Sequence, residues 1–260
     1  MIRGCIFDLG GTLVDKYSLT PLLSLRKICL NREITLTNKH LLNGIVRDNK
    51  RDHILNILNE KTIVKQWLKR YNYYPDDFDV RILFDEFDKT QYECSQNILD
   101  IIPETKECIH YLNFNYIKTG CTTGFNEENV KLIKNKLDQN YIFLDSYVPY
   151  TPNKPSRPYP HMIHENMKRM DLRDPGEIMK IDDSVSGLEE GNNAGCITVG
   201  VARWSINMNI TTLKHSYEVT EIDIQEKLKH SRHVLKEGGA DYVIDTLDEL
   251  PRIIERINYK

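Results

Sequence analysis

The sequence lacks the features that would assign it to a disulfide-rich, membrane or nucleic-acid-binding class. Its six cysteines are scattered singly, without a Cys-x-x-Cys pair, so neither a zinc site nor a disulfide framework is indicated. No apolar run approaches the length of a membrane span, and no basic and apolar leader precedes the first predicted strand. The formal net charge of −3 gives no electrostatic argument for nucleic acid or an anionic membrane surface. We therefore expect a cytoplasmic protein that meets any anionic ligand with a few placed cations or a metal.

The composition is that of an ordinary globular protein. Hydrophobic residues make up 40% of the 260 positions and charged residues 28%, without repeats or low-complexity segments. A chain of this length can form one large domain, or a core with a smaller appended domain.

The chain begins with a short buried strand and continues with a long helical block. Gly4-Cys5-Ile6-Phe7 is an apolar run that stops at Asp8 and a glycine turn. Amphipathic helical patterns then follow from Pro21 to Ile28, from His53 to Trp67 and from Val80 to Ile98, with no strand signal between them. A helical insert at this place is typical of a cap domain, so we predict a cap at residues 16–98 and a core at residues 1–15 and 99–260.

Strand and helix patterns alternate regularly after residue 101. Such alternation indicates parallel strands joined by crossover helices, and hence a doubly wound α/β sheet that is covered on both faces. Strands are predicted at residues 116–121, 142–148, 178–181, 196–201 and 242–244, with helices at 104–112, 126–137, 161–170, 186–194 and 222–238.

Polar residues follow the predicted strands, at the edge of the sheet where α/β proteins bind ligands. Asp8 follows the first strand, and Thr122-Thr123-Gly124 follows the second. Arg157 opens the motif Arg157-Pro158-Tyr159-Pro160, in which two prolines hold it ahead of a helix, and Asp182-Asp183 closes a later strand. Each has a plain structural interpretation, since Asp8 can cap a turn, Thr-Thr-Gly can be a turn, Arg157 can lie in a surface loop and the acidic pair can be a helix N-cap.

In this order, the four sites resemble the four motifs of the haloacid dehalogenase superfamily. The resemblance implies Mg²⁺ between Asp8 and Asp183, with Asp8 attacking phosphorus while Thr122 and Arg157 hold the transferred oxygens. The charges agree with this, because carboxylates with a metal attract a phosphoryl dianion and a guanidinium neutralises it in the transition state.

Gly10 stands where most phosphatases and mutases of that superfamily carry a second aspartate as general acid. Without an acid, a phosphate ester would have to leave as an alkoxide, so we expect a poor ordinary phosphatase. The segment Lys50-Arg51-Asp52-His53 in the insert offers another route. A desolvated lysine can condense with an aldehyde and a nearby imidazole can move the protons, although the same residues also suit a solvated helix start.

Almost end to end, the chain resembles the phosphonoacetaldehyde hydrolase family of that superfamily. The similarity lies in the small residue at position 10, Lys-x-Asp-His at 50–53, Gly-x-Thr-Thr-Gly-aromatic at 120–125, Arg-Pro-Tyr-Pro at 157–160 and Glu-Gly-Gly-Ala-Asp at 237–241. The resemblance implies a cap-mediated homodimer in which Lys50 forms a Schiff base, Asp8 is the nucleophile and His53 moves protons. It further implies that the Gly10 backbone carbonyl and Asp183 bind Mg²⁺, and that substrate contacts come from Gly10, Thr123, Gly124 and Arg157.

The chain departs from the family pattern at two places. In an ungapped match, Val46-Arg47 align with the Met-Gly pair that the family usually has just ahead of its lysine. A gapped match would align Arg47 with that lysine instead, but Lys-x-Asp-His at 50–53 favours the ungapped match. The family's Gly-Asp-x-x-x-Asp reads Asp182-Asp183-Ser-Val-Ser-Gly187 here, which leaves open whether Asp182 replaces the later carboxylate. Two alternatives therefore stand beside a phosphonatase: a hydrolase of another phosphorylated metabolite, and a catalytically weak binding protein.

Overall fold

The computed structural model describes residues 1–43, 50–152 and 154–259, and these residues form one α/β structure. Within them, six parallel strands make a single sheet in the order β3-β2-β1-β4-β5-β6. The order confirms the predicted doubly wound sheet, since the chain builds outward from β1 first to one side and then to the other. The strands are β1 Gly4–Phe7, β2 Lys118–Thr122, β3 Ser146–Val148, β4 Ile178–Asp182, β5 Ile197–Val201 and β6 Tyr242–Ile244.

Helices connect the strands and cover the sheet. Those between β1 and β2 are α1 Leu19–Leu30, α2 Asn38–Asn43, α3 Lys50–Asn59, α4 Lys61–Tyr71, α5 Asp77–Ile98 and α6 Thr105–Phe114. Those after β2 are α7 Glu127–Gln139, α8 His161–Arg169, α9 Val185–Ala194, α10 Leu213–Glu218, α11 Glu221–Glu237 and α12 Leu250–Asn258. None of the described helices combines the length and the apolarity needed to cross a membrane.

The register of the central strands brings the functional sequence segments to one edge. Phe7 of β1 pairs with Cys121 of β2 on one side and with Ile181 of β4 on the other. All four β1 residues are buried, as expected for a central strand covered on both faces. The residues that follow these three strands therefore emerge side by side at the carboxyl edge of the sheet.

In the described part of the segment between β1 and residue 98, the regular elements are helices, as the sequence pattern predicts. The predicted run from His53 to Trp67 is divided between α3 and α4, which are separated at Glu60. Asp76 starts α5 with a capping box, because its side chain accepts from the backbone of Phe78 and Asp79 while the Asp79 carboxylate accepts from Asp76 N–H. The boundaries of a separate cap domain at residues 16 and 98 stay a prediction.

Two chain connections link the helical insert to the sheet, and they run side by side. The Asp15 N–H donates to the Asp100 carbonyl at 2.8 Å, and the Ile102 N–H donates to the Leu13 carbonyl at 2.9 Å. The first connection has left-handed backbone at Asp15, Tyr17 and Ser18, with φ of 55°, 64° and 49°. Such conformations are uncommon for non-glycine residues, so the surrounding contacts must hold this turn in place.

Buried apolar side chains join the insert to the sheet layer. One cluster contains insert residues such as Leu22, Trp67 and Phe87 together with Leu188 of α9 and Leu235 of α11. A second cluster lies around the sheet and includes Phe7, Cys121 and Ile181. Packing within the first cluster holds the start of α3 and the helix α5 close to the carboxyl edge of the strands.

Candidate active site

Asp8 lies at the centre of the carboxyl edge. Its backbone N–H donates to the Ile181 carbonyl at 2.8 Å, which extends the β1–β4 ladder by one residue. The residue is only 6% exposed. Burial raises the pKa of Asp8 to about 6, with Arg157 and Lys180 acting in the opposite direction. The strand thus delivers a carboxylate that is desolvated and held beside fixed cations.

The glycine turn after Asp8 allows a close approach of backbone and carboxylate. Gly11 has a left-handed φ of 73°, and an added Cβ there would lie 2.3 Å from Asp183 Oδ2. At Gly10, by contrast, an added Cβ would lie 3.5 Å from its nearest neighbours, Phe125 and Ser18, which is an ordinary contact distance. Glycine is therefore required sterically at position 11 but not at position 10.

Arg157 binds the nucleophile candidate directly. It lies in the connection between β3 and α8, not at a strand end as the sequence suggested, and it is 9% exposed. One terminal nitrogen is 2.7 Å from Asp8 Oδ1 and 2.9 Å from the Thr122 carbonyl. Its Nε donates to Glu190 Oε2 at 3.1 Å. A guanidinium anchored at two points is well placed to bind phosphoryl oxygens.

Thr122 lies in a buried polar network and does not line the cavity described below. Its hydroxyl accepts from Lys180 Nζ at 2.8 Å and from Arg157 at 3.0 Å, and it donates to Glu190 Oε2 at 2.9 Å. Lys180 and Glu190 are fully buried. Neither residue has a role predicted from the sequence, although a lysine inside the apolar run of β4 is a visible signal. Thr123, the next residue, does line the cavity.

Three carboxylates meet at this edge. Oxygens of Asp8, Asp182 and Asp183 all lie within 4.8 Å of one another, and all three side chains are buried. Asp183 Oδ2 accepts from the Ile206 N–H at 2.9 Å and from the Ser18 hydroxyl at 3.5 Å. A compact set of carboxylate oxygens is the donor set that Mg²⁺ prefers, so these residues fit such a cation.

Burial and the neighbouring charges shift the pKa values of these carboxylates in different directions. Burial, together with the neighbouring Asp8 and Asp182, raises the pKa of Asp183 well above its usual value. For Asp182, burial acts in the same direction, but Arg157 and Lys180 outweigh it and lower the pKa. Arg157 and Lys180 thus do not offset all three carboxylates, and a cation bound here would favour the deprotonated forms of Asp8 and Asp183.

Lys50 reaches this edge from the helical insert. It is the first residue of α3, and its ammonium donates to Gln91 Oε1 at 2.9 Å and to Asp88 Oδ1 at 3.2 Å, both on α5. The ammonium also lies 4.9 Å from the centre of the Phe87 ring. Burial lowers the pKa of Lys50, partly offset by Asp88. A desolvated amine of this kind is easier to deprotonate than a surface lysine.

His53 lies one turn further along α3. Its Nε2 is 3.2 Å from the Leu41 carbonyl, and because a carbonyl can only accept, Nε2 carries the proton. Burial lowers the pKa of His53 to about 4, so the ring is neutral near pH 7. Nδ1 is therefore the ring nitrogen that keeps a lone pair for accepting a proton.

A cavity of about 150 Å³ brings the two halves of the predicted site together. Asp8, Gly10, Arg157 and Asp183 line it from the sheet, and Lys50 and His53 line it from the insert. The sheet side of the lining is completed by Thr123, Gly124, Phe125 and Ser184. The other lining residues are Asp15, Ser18, Pro21, Leu22, Gln91 and Ile206. Of the predicted site residues, Thr122 and Asp182 are absent from this lining. Val46 and Arg47 lie outside the described residues.

Asp15 and Gln91 were not singled out from the sequence, although both line the cavity. Asp15 is 2% exposed, and both of its carboxylate oxygens accept from the Thr20 N–H, at 3.1 and 3.2 Å. Burial raises the pKa of Asp15 to about 7 despite these bonds. Neither residue lies in a strand-end motif, so only the folded arrangement brings them to the site.

Known proteins resemble this chain in sequence and in fold. The family model for haloacid dehalogenase-like hydrolases matches residues 2–195. The chain belongs to that family. The fold-class prediction is confirmed.

Relatives within the family are similar over nearly the whole chain. A phosphonoacetaldehyde hydrolase of Bacillus cytotoxicus is 30% identical over 258 residues, which cover 98% of this chain and 96% of the relative. The crystal structure of a phosphonoacetaldehyde hydrolase-like protein from Oleispira antarctica superposes with a TM-score of 0.90 at 25% identity, covering 99% and 93% of the two chains. A predicted phosphoglycolate phosphatase from Haemophilus somnus has the same fold, with a TM-score of 0.71 at 16% identity and coverage of 97% and 98%.

Proposed function

We propose that this hydrolase cleaves the carbon–phosphorus bond of phosphonoacetaldehyde, giving acetaldehyde and phosphate, with Lys50 as the imine-forming amine and Asp8 as the nucleophile. One observation carries the proposal: Lys50 from the insert and Asp8 from β1 line the same cavity of about 150 Å³. A small aldehyde with a phosphoryl group needs an amine at one end of its site and a nucleophile with a cation at the other. The name of the Bacillus relative supports the same substrate.

The imine step uses the two insert residues. The unprotonated Lys50 amine adds to the aldehyde carbon, a water molecule leaves, and a carbon–nitrogen double bond forms. His53, neutral and free at Nδ1, accepts the proton released by the adding nitrogen and returns it to the departing hydroxyl. The imine nitrogen then takes up a further proton from solvent water, and the protonated imine draws electrons from the neighbouring carbon.

The phosphoryl step uses the sheet residues. An Asp8 oxygen attacks phosphorus, the carbon–phosphorus bond breaks, and its electron pair moves to carbon and onto the imine nitrogen to give an enamine. Protonation at carbon and hydrolysis release acetaldehyde and free Lys50, while a second water releases phosphate from Asp8. Arg157, bound to Asp8 at 2.7 Å, holds the phosphoryl oxygens in line with the attacking atom. In this scheme Thr123, Gly124 and Gly10 form the wall against which the phosphoryl group rests.

Asp8, Asp183 and the Gly10 backbone carbonyl are the proposed Mg²⁺ ligands. When bound, the cation supplies positive charge that offsets the phosphoryl dianion and the carboxylates. The close grouping of the Asp8 and Asp183 oxygens supports this assignment. The absence of a carboxylic acid at Gly10 fits the scheme, because the imine makes an acid for the leaving group unnecessary.

Borohydride trapping tests the proposal. The enzyme is incubated with phosphonoacetaldehyde and borohydride, digested, and analysed by mass spectrometry; we expect a reduced adduct on Lys50 and loss of phosphate release. Lys50→Ala and Lys50→Arg are expected to abolish both, while Lys61→Ala, at the start of the next helix, serves as the matched control. An unmodified Lys50 with turnover that survives Lys50→Ala would refute the imine mechanism.

The same assays separate the alternatives. Hydrolysis of phosphate esters that survives Lys50→Arg would favour a phosphatase of another metabolite. Binding of phosphorylated ligands in calorimetry without phosphate release from a broad substrate panel would favour a binding protein. A homodimer that forms through the insert and a cytoplasmic location stay part of the proposal. Sedimentation of the purified enzyme tests the dimer directly.

A further inference from the structure

Gln91, on α5, presents its carboxamide to the cavity beside Lys50. The residue is almost fully buried, and it is one of the residues that line the cavity. Its Oε1 accepts from the Lys50 ammonium at 2.9 Å. Because an ammonium group can only donate, this contact fixes the orientation of the amide. The oxygen faces Lys50, and the Nε2 amino group lies on the other side of the amide carbon.

The Nε2 amino group of Gln91 is not used by the protein itself. Within residues 1–43, 50–152 and 154–259, no group accepts a hydrogen bond from it, although the amide oxygen is bound. The nitrogen is also not sealed inside the protein interior, since it does not belong to the buried polar atoms that lack a partner. A buried side chain that keeps an unused donor at a cavity wall can offer it to a bound molecule.

The two polar neighbours of Gln91 at this end of the cavity do not supply such a donor. The Lys50 amine is the proposed reacting group, and its ammonium also binds Asp88 at 3.2 Å. The ring proton of His53 lies on Nε2, where the Leu41 carbonyl accepts it, so Nδ1 carries only a lone pair. An oxygen that develops negative charge beside Lys50 therefore needs its donor from Gln91.

We propose that Gln91 is a catalytic residue of the imine step, in which its Nε2 donates to the aldehyde oxygen while Lys50 adds to the carbonyl carbon. The nitrogen lone pair forms the carbon–nitrogen bond, and the π electrons of the carbonyl move to oxygen. The adduct carries N–H donors and an oxygen acceptor on one carbon, and the carboxamide offers an acceptor and a donor side by side in the complementary order.

A donor directed at an oxygen that gains charge in the transition state lowers the barrier of that step. His53 then moves a proton from nitrogen to this oxygen, and water leaves. Oε1 of Gln91 still accepts from the N–H of the protonated imine, so the side chain serves both stages. The inference rests on the proposed imine mechanism and adds the group that binds the aldehyde oxygen.

Timed borohydride quenching of wild type, Gln91→Met and Gln91→Glu tests the inference. Each enzyme is mixed with phosphonoacetaldehyde and quenched at set times over a range of pH, and the total adduct on Lys50 is measured by mass spectrometry. Methionine keeps the length of the side chain and removes both polar atoms, whereas glutamate keeps an acceptor for Lys50 and removes the donor. Gln96→Met, at an exposed position of the same helix, is the matched control and should form the adduct at the wild-type rate.

Both Gln91 variants are expected to form the adduct about tenfold more slowly or worse, including at high pH where the Lys50 amine is unprotonated, because the donor to the oxygen is lost. Gln91→Leu replaces Gln91→Met if circular dichroism shows that the methionine variant does not fold. A wild-type rate in the apolar variant would overturn the inference. A slow apolar variant with a wild-type rate in Gln91→Glu would also overturn it, because Gln91 would then only hold Lys50.

The same experiment separates this inference from the mechanism on which it rests. Wild type that forms no adduct on Lys50 would refute the imine mechanism itself. Wild type that forms the adduct, with Gln91 variants that form it equally fast, would refute only the role of Gln91.

Discussion

The Lys50 ammonium lies 3.2 Å from the Asp88 carboxylate, across the gap between α3 and α5. This contact offsets part of the effect of burial, which lowers the pKa of Lys50. Asp88 thereby sets how readily the proposed amine loses its proton, although it does not line the cavity itself.

Asp88→Asn is expected to lower the pKa of Lys50 further, because the stabilising negative charge is lost. Between the two pKa values more of the amine is unprotonated, so the acidic limb of the kcat/KM profile should move to lower pH. The measurement is the pH dependence of phosphate release, with Asp85→Asn, one turn earlier on α5, as the control. An acidic limb that does not move, or moves upward, would contradict the assignment.

Arg157→Lys is expected to reduce kcat/KM by roughly a hundredfold or more, because lysine cannot bind Asp8, Thr122 and Glu190 at once. Steady-state phosphate release measures the effect. Arg169→Lys on α8, where the side chain is about half exposed and pairs with Glu165, is the control and should be near wild type. Equal losses in both variants would argue against a specific role for Arg157.

Gly10→Asp is expected to raise the hydrolysis of simple phosphate esters by at least tenfold, since a carboxyl at this position can protonate a leaving oxygen. The fold should tolerate it, because a Cβ there meets only ordinary contacts at 3.5 Å. Gly10→Ala controls for size without the acid. Gly11→Ala, by contrast, should destabilise the protein, because its Cβ would lie 2.3 Å from Asp183 Oδ2. Ester hydrolysis that does not exceed that of Gly10→Ala would refute the argument about the missing acid.

The two neighbouring threonines are expected to respond differently to valine. Thr122→Val removes a hydroxyl that serves Lys180, Arg157 and Glu190, so the free energy of unfolding should fall by about 1–3 kcal/mol or more. Thr123→Val changes a residue that lines the cavity and should mainly raise KM. Urea unfolding and steady-state kinetics separate the two effects. A Thr122→Val enzyme of wild-type stability would show that the buried network matters little.

Asp15→Asn is expected to become more stable relative to wild type as pH rises from about 4 to 7. Burial raises the pKa of Asp15 to about 7, above its unfolded value of about 3.9, so the folded state binds more protons in that window. Wild type therefore loses stability through this interval, by on the order of 1–4 kcal/mol, and the asparagine variant does not. Urea unfolding at several pH values measures the difference. A stability difference that is constant with pH would contradict the raised pKa.

Local patterns in the sequence were enough for the secondary structure and the strand-end residues. The run Gly4–Phe7 and the later alternation of strands and helices predict a parallel sheet, since apolar periodicity reports burial directly. Because parallel strands share a carboxyl edge, the positions of Asp8 and Asp183 at two strand ends are enough to predict that they lie close together, as they do. The boundaries were less accurate, and β3 covers only Ser146–Val148 of the predicted strand at 142–148.

Only the tertiary structure decided which side chains share an environment. Lys50 and Asp8 are distant in sequence, and their common cavity depends on how the insert packs over the sheet. The burial of Lys180 with Glu190, and the contact between Gln91 and Lys50, likewise depend on distances between separate elements. The sequence by itself determined the fold and the candidate chemical groups, because periodicity and residue type are local. Distances, burial and pKa shifts arise from long-range packing, and only the folded chain defines them.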